Sequence, residues 1–328
     1  MASVRAYRRT VAAGILLLLG LMALDLLTGR VPVRPRDPLF RDLLLNLRLP
    51  RVLTAVLAGA SLALAGAQMQ AIFRNPLADP HIMGVSAGAG LGAACATLAL
   101  AGMAGRTLLS GVSIPLAAFF GAVLTSLVIV AASRRLHSGG TLLVFGILLG
   151  FILSAVTSIL EYSANEESLK FFYIWSAGSF SGRRLVETAI MGGALLTGLA
   201  LALYGAKGLD LILFGEDYAT LSGASVRRIR IRAMLSACLL TGVTTACCGP
   251  LGFVGIVAPH IVRSLTGTSR HVRVLPMSMV AGAVLTLIAD LIAQLTPVPL
   301  PVGSTLALVG IPLILWILLP GKKHPAVL

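Results

Sequence analysis

The chain has 328 residues, 57% of them hydrophobic and only 12% charged, with a mean hydropathy of +0.95. A soluble surface on a protein of this size needs roughly twice that charge, so a water-soluble globular fold is excluded and a polytopic membrane protein is expected. The net charge of +14 would suggest nucleic acid in a soluble protein, but here the cations flank apolar runs, where they face lipid head groups and set topology.

Measured against the roughly 20 residues that a helix needs to cross a bilayer, apolar runs predict ten spans, at 11–28, 52–72, 80–101, 112–132, 141–161, 185–205, 233–248, 250–266, 275–294 and 303–319. The first follows Arg5, Arg8 and Arg9 and lacks a well-placed small-x-small cleavage site, so it reads as an uncleaved span rather than a signal peptide. Between the second and third spans stands the polar, doubly Pro-punctuated break Arg74-Asn75-Pro76-Leu77-Ala78-Asp79-Pro80. Two spans joined by so short a break turn back close together. Their non-helical backbone must be buried in protein or line a wet path. The pair within 233–266 is short and interrupted by Gly and Pro.

An even number of spans puts both termini on one side. Arg5, Arg8, Arg9, Arg134, Arg135, Lys207, Arg227, Arg228, Arg230, Arg232, Arg263, Arg270, Arg273, Lys322 and Lys323 then share that side, which is cytoplasmic by the positive-inside rule. Residues 29–51 break the rule. They carry Arg30, Arg34, Arg36, Arg41, Arg48 and Arg51 against Asp37 and Asp42, and they fall outside. A basic external patch calls for an acidic docking partner.

The longest polar segment, Gly205 to Arg232, lies inside and is broken at Gly215 and Gly223. Asp210, Leu211, Leu213, Phe214, Tyr218 and Leu221 give it an apolar stripe with acids beside it, suited either to a groove in a partner or to the membrane surface. A weak internal echo, Asp79-Pro80-His81-Ile82 against Ala258-Pro259-His260-Ile261, suggests inverted halves.

Intramembrane acids are few: Asp25, Glu161 and Asp290. A carboxylate at a helix centre costs about 2.5–3.5 kcal/mol on insertion scales, so Asp290 should have a partner. It either makes an interhelix hydrogen bond to a Ser, Thr or backbone group, or couples an ion in a secondary transporter. Cys95, Cys238, Cys247 and Cys248 lie in apolar runs without metal-ligand spacing and read as small buried hydrophobes. His81, His137, His260, His271 and His324 sit mostly beside Pro or at span ends. Cap or loop hydrogen bonds account for His81 and His260 better than haem ligation does. The chain has no G-x-x-x-x-G-K-S/T loop, no H-E-x-x-H and no G-x-S-x-G, so an ATP-driven process would draw on another subunit. Clustered nucleophile, acid or metal groups of an integral membrane enzyme are not found.

Several long motifs stand in order: R-L-P-R at 48–51, R-N-P-L-A-D-P at 74–80, G-V-S-A-G-A at 84–89, F-G-E-D-Y-A-x-x-x-G at 214–223, G-F-V-G-I-V-A-P-H-I-V-R at 252–263 and A-D-L at 289–291. Over nearly the whole chain these resemble the FecCD/BtuC-type permeases, membrane subunits of ABC importers for iron chelates, haem and cobalamin. The resemblance implies an all-α polytopic fold of about ten transmembrane helices, an inverted-repeat type II importer permease forming a single domain over 1–328. It also implies a homodimer in the inner membrane, two cytoplasmic ATPases that hold the ATP and Mg, and a periplasmic or lipid-anchored binding protein. No cofactor or metal on this chain and no nucleic-acid partner follow from it.

By the same resemblance, Gly215, Glu216, Ala219, Leu221 and Gly223 belong to an ATPase-coupling loop at about 206–231. Asn75 and Leu77 match an inner gate, and Ser138 and Gly139 a second gate element, where Gly139 departs from the expected hydroxyl residue. Arg48 and Arg51 match arginines that pair with glutamates on the binding protein. Gln294 stands where an arginine often completes that set, and Pro299 where E-L-P is usual. An iron chelate, siderophore or haem, ranks first as cargo and cobalamin second.

Overall fold

The computed structural model describes residues 2–29, 40–99, 113–136, 138–296, 298 and 300–318, and their regular structure is helical throughout. Helix α1 spans Ala2–Leu27, α2 Leu49–Phe73, α3 Val85–Ala94, α4 Ser113–Arg135, α5 Gly139–Tyr162 and α6 Glu166–Ser176. Then follow α7 Leu185–Leu213, α8 Glu216–Leu221, α9 Val226–Cys248, α10 Val254–Thr266, α11 His271–Leu295 and α12 Val302–Leu318. Among the described residues seven helices are long and apolar enough to cross a bilayer. Three shorter apolar helices, Val85–Leu98, Val254–Thr266 and Val302–Leu315, occupy the remaining expected positions. Each predicted span thus has its helix over its described part.

Helix α2 is the hub. Of its most apolar window 83% is buried, against 6% for α1, and it packs on α7, α9, α10 and above all α11. Helices in a bilayer gain little from apolarity alone, so close backbone approach decides their packing. A Cβ on Gly59 would come within 2.3 Å of the Gly282 carbonyl oxygen, and one on Gly66 within 2.1 Å of the Gly255 oxygen. These glycines let α11 and α10 lie directly on α2. Thr286 fastens the first contact by donating to the Ala55 carbonyl at 2.8 Å.

The break after α2 is built from its own side chains. Arg74 takes the left-handed conformation (φ 48°), and Asn75 Oδ1 accepts from the Leu77 N–H at 2.9 Å, the turn that an Asn favours. Asp79 then caps the 3₁₀ turn Pro80–Met83 by accepting from the His81 N–H at 2.8 Å. His81 Nδ1 pairs with Ser86, a local bond of the kind expected there. The two Pro-His-Ile segments differ in conformation. Pro80 opens a 3₁₀ turn, whereas Pro259 lies inside α10.

Three expectations are corrected. The predicted 205–232 loop is much shorter, because α7 continues to Leu213 and α9 begins at Val226. Buried Ala206, Leu209 and Ile212, with the Ile229 side chain packed 2.6 Å from a Cβ placed at Gly208, extend both helices beyond their apolar spans. Helix α6, between the fifth and sixth spans, was not anticipated. Asn165 opens it by accepting from the Ser168 N–H at 2.9 Å, with Glu166 and Glu167 in its first turn. Cys95 is exposed rather than buried, while Cys238 and Cys248 are buried and Cys247 is half-buried.

Candidate functional site

The candidate site residues fall at two opposite ends of the bundle. At one end the chain leaves α7 at Phe214, turns through Gly215 and enters α8. Gly215 has φ 116° and Gly223 has φ 79°, so both breaks expected from sequence are backbone turns that a side chain would strain. Between them, Ala219 is buried, while Phe214 (76% exposed), Tyr218 and Leu221 (88%) project outward, the two rings 5.6 Å apart. An outward aromatic and leucine cluster on so short a helix suits either a groove in a partner or the membrane surface.

Glu216 does not join that outward cluster. Its Oε1 lies 2.6 Å from Arg230 Nη2, and Arg230 Nη1 donates at 3.1 Å to the carbonyl of Leu136, in the connection between α4 and α5. Gly139 is buried against the end of α2. A Cβ there would meet the Ile72 oxygen at 3.1 Å and Glu216 Oε1 at 3.7 Å. A hydroxyl residue at 139 would sit tightly against the Ile72 carbonyl. Leu77 and Ser138 are exposed and Asn75 half-buried. Geometry gathers the start of α8, the 136–139 connection and the last turn of α2 in one place.

Behind this cluster Asp210 lies within α7, not in a loop, and accepts from the His271 N–H at 2.8 Å and pairs with His271 Nδ1 at 2.6 Å. It caps α11 from a neighbouring helix. Arg263 is buried and donates to Gln70 Oε1, while Gln70 Nε2 bonds the Gly255 and Ile256 carbonyls.

At the opposite end, both docking candidates are engaged within the chain. Arg48 Nη1 donates to the Leu26 and Leu27 carbonyls at 3.0 and 3.2 Å, where a cation complements the C-terminal dipole of α1. Arg51 Nη2 lies 2.8 Å from Asp290 Oδ1. The partner of Asp290 is thus an arginine, not the Ser, Thr or backbone group expected, because α2 brings a cation alongside it. Gln294 Nε2 bridges Asp25 and Asp290, lying 3.3 Å from Asp290 Oδ2. Arg30, Arg34, Arg36, Asp37, His137, Pro299, Lys322, Lys323 and His324 lie outside the described residues. Among the described residues no group of three His, Cys, Asp or Glu side chains is placed to hold a metal.

A helical bundle in which seven of the described helices are long and apolar enough to cross a bilayer defines a polytopic membrane protein. The chain belongs to the FecCD transport family, whose family model matches residues 13–320, and is an ABC importer permease. It is 36% identical over 284 residues to the hemin transport system permease protein HmuU of Yersinia pestis, covering 85% of this chain and 84% of that one. It is 36% identical over 323 residues to the vitamin B12 import system permease protein BtuC of Klebsiella pneumoniae, covering 97% and 96%. A solved ABC transporter assigned to the metal-chelate type, in an inward-facing conformation, superposes with a TM-score of 0.84 at 29% identity, covering 94% of this chain and 97% of that one. Permeases of this class work with separate ATPase and substrate-binding subunits.

Proposed function

We propose that this chain forms the homodimeric, single-domain permease of an inner-membrane importer for an iron chelate, siderophore or haem, working by alternating access. Both termini and α8 face the cytoplasm in this reading, which the excess of cations at that end supports. Two ATPases, holding ATP and Mg, receive the Phe214, Tyr218 and Leu221 surface, with Gly215 and Gly223 setting the loop and Ala219 seating it. Asn75, Leu77, Ser138 and Gly139 form the cytoplasmic gate. A substrate-binding protein docks at the other end, where Arg48 and Arg51 supply positive charge near the surface.

The observation that carries this reading is the outward apolar cluster on α8, whose other face is bonded through Glu216 to the 136–139 connection. Co-purification of the chain with its candidate ATPase tests it, comparing wild type with Leu221→Asp. Loop-dependent capture supports the importer reading, and no capture by wild type in mild detergent overturns it.

Hemin import by one relative and the metal-chelate type of the solved structure support the cargo. Cobalamin is the alternative, on the strength of the B12 permease. ATP-dependent uptake of ferric siderophore, haem and cobalamin into proteoliposomes decides between them. An ion-coupled mechanism through Asp290 is disfavoured by its pairing with Arg51.

A further inference from the structure

We infer that Arg230 is a positioning residue that transmits displacement of α8 to the 136–139 connection, and that Glu216 acts on the gate side of the coupling helix rather than on its ATPase-facing side. The inference rests on the proposed function above, which gives α8 its driving partner.

Helix α8 is tied to the body of the protein through its first turn. Glu216 Oε1 is 2.6 Å from Arg230 Nη2, on α9, while Nη1 of the same guanidinium reaches the Leu136 carbonyl at 3.1 Å. Both nitrogens belong to one rigid plane. A shift of the carboxylate that rotates or pulls the guanidinium is therefore felt at the carbonyl. A lysine ammonium, on a flexible stem, would not fix those two bonds relative to each other.

The receiving segment is close to the carboxylate by a second route. A Cβ at Gly139 would lie 3.7 Å from Glu216 Oε1, and one at Gly215 would lie 3.8 Å from Arg74 Nη1, at the break after α2. The start of α8 thus abuts both connections proposed to form the gate. Arg230 is 5% exposed at its side chain and Glu216 29%, so the link is shielded on the arginine side and partly open to solvent on the helix side.

Hydrogen–deuterium exchange on the permease–ATPase complex in nanodiscs tests this, with and without ATP, Mg and vanadate. In wild type, nucleotide changes exchange in both 214–225 and 134–142. In Arg230→Gln the response of 214–225 persists, since the outward cluster is intact, and the response of 134–142 is lost. Arg230→Lys recovers it only in part. Glu216→Gln, which keeps size and hydrogen bonding, weakens the 134–142 response and carries the test if Arg230→Gln does not assemble. A wild-type response of 134–142 in these variants, with the ATPase bound, overturns the relay and leaves the importer reading standing. Failure of the wild-type chain to capture an ATPase overturns both.

Discussion

Arg51 Nη2 and Asp290 Oδ1 meet at 2.8 Å across the contact between α2 and α11, the carboxylate 1% exposed and the guanidinium 21%. The pairing ties the N-terminal end of the hub helix to α11. It makes Arg51 a structural cation as well as a candidate docking one, and it occupies the carboxylate that an ion-coupled mechanism would need.

Removing one member of such a pair leaves the other charge without its counterion. Asp290→Asn should therefore cost about 2–3 kcal/mol, at or below the low end for buried pairs because Arg51 keeps some solvent. The double variant Arg51→Gln/Asp290→Asn should lose less than the sum of the two single variants. Denaturant unfolding in detergent measures both. Nucleotide hydrolysis by the assembled complex should persist in Asp290→Asn, and its loss in a folded variant would return Asp290 to a coupling role.

Packing at the hub gives a second expectation. At Gly59 a Cβ meets the Gly282 oxygen at 2.3 Å, whereas at Gly192, on α7, it meets nothing within 4 Å. Gly59→Ala should destabilise by about 1–3 kcal/mol through overpacking. Gly192→Ala should be neutral or stabilising by up to about 1 kcal/mol, the helix-propensity gain. Thermal unfolding of the two variants side by side checks the contrast.

Spans were legible because the bilayer imposes a length and an apolarity on most of them, so each of the ten apolar runs coincides over its described residues with an apolar helix, seven of them long enough to cross. Their ends were not. Ile229 packing against Gly208 carries α7 and α9 beyond the apolar run, and such a contact leaves no local signal. Helix α6, with 11 residues and two acids in its first turn, fails the length rule, although Asn165 followed by Glu166 and Glu167 is a start signal that capping rules recognise. The partner of Arg51 lies 239 positions away, beyond the reach of any spacing rule. Arg230 was legible only as one more cation on the positive side, and its bonds to Glu216 and Leu136 emerge from the folded connections alone.

The outward face of α8 yields a third expectation. Leu221 is 88% exposed, so a charge there costs the isolated chain almost nothing. Placed in a partner's groove, a carboxylate is desolvated against apolar surface and should weaken ATPase capture by at least about tenfold, as for a hot-spot residue. Leu221→Asp should therefore unfold at the wild-type temperature while losing the ATPase in pull-down. Loss of both would mean that the residue is structural.

Asp79 sets a pH expectation outside the spans. Burial pushes its carboxyl above the ordinary carboxylate value, opposed by the nearby His81 and by the hydrogen bond from the His81 N–H. Its Oδ2 is buried without a hydrogen-bond partner. With a folded value above the unfolded 3.8, the native state binds more protons than the unfolded one, so this group lowers stability as pH rises through that interval. Asp79→Asn removes the charge and keeps an oxygen for the His81 N–H. The variant should be more stable than wild type at pH 7, and the difference should shrink as pH falls towards 4, where the wild-type carboxyl takes up its proton. Thermal unfolding of both proteins across that range measures it. A variant that is less stable at pH 7 would show that the ionised carboxylate has a favourable partner.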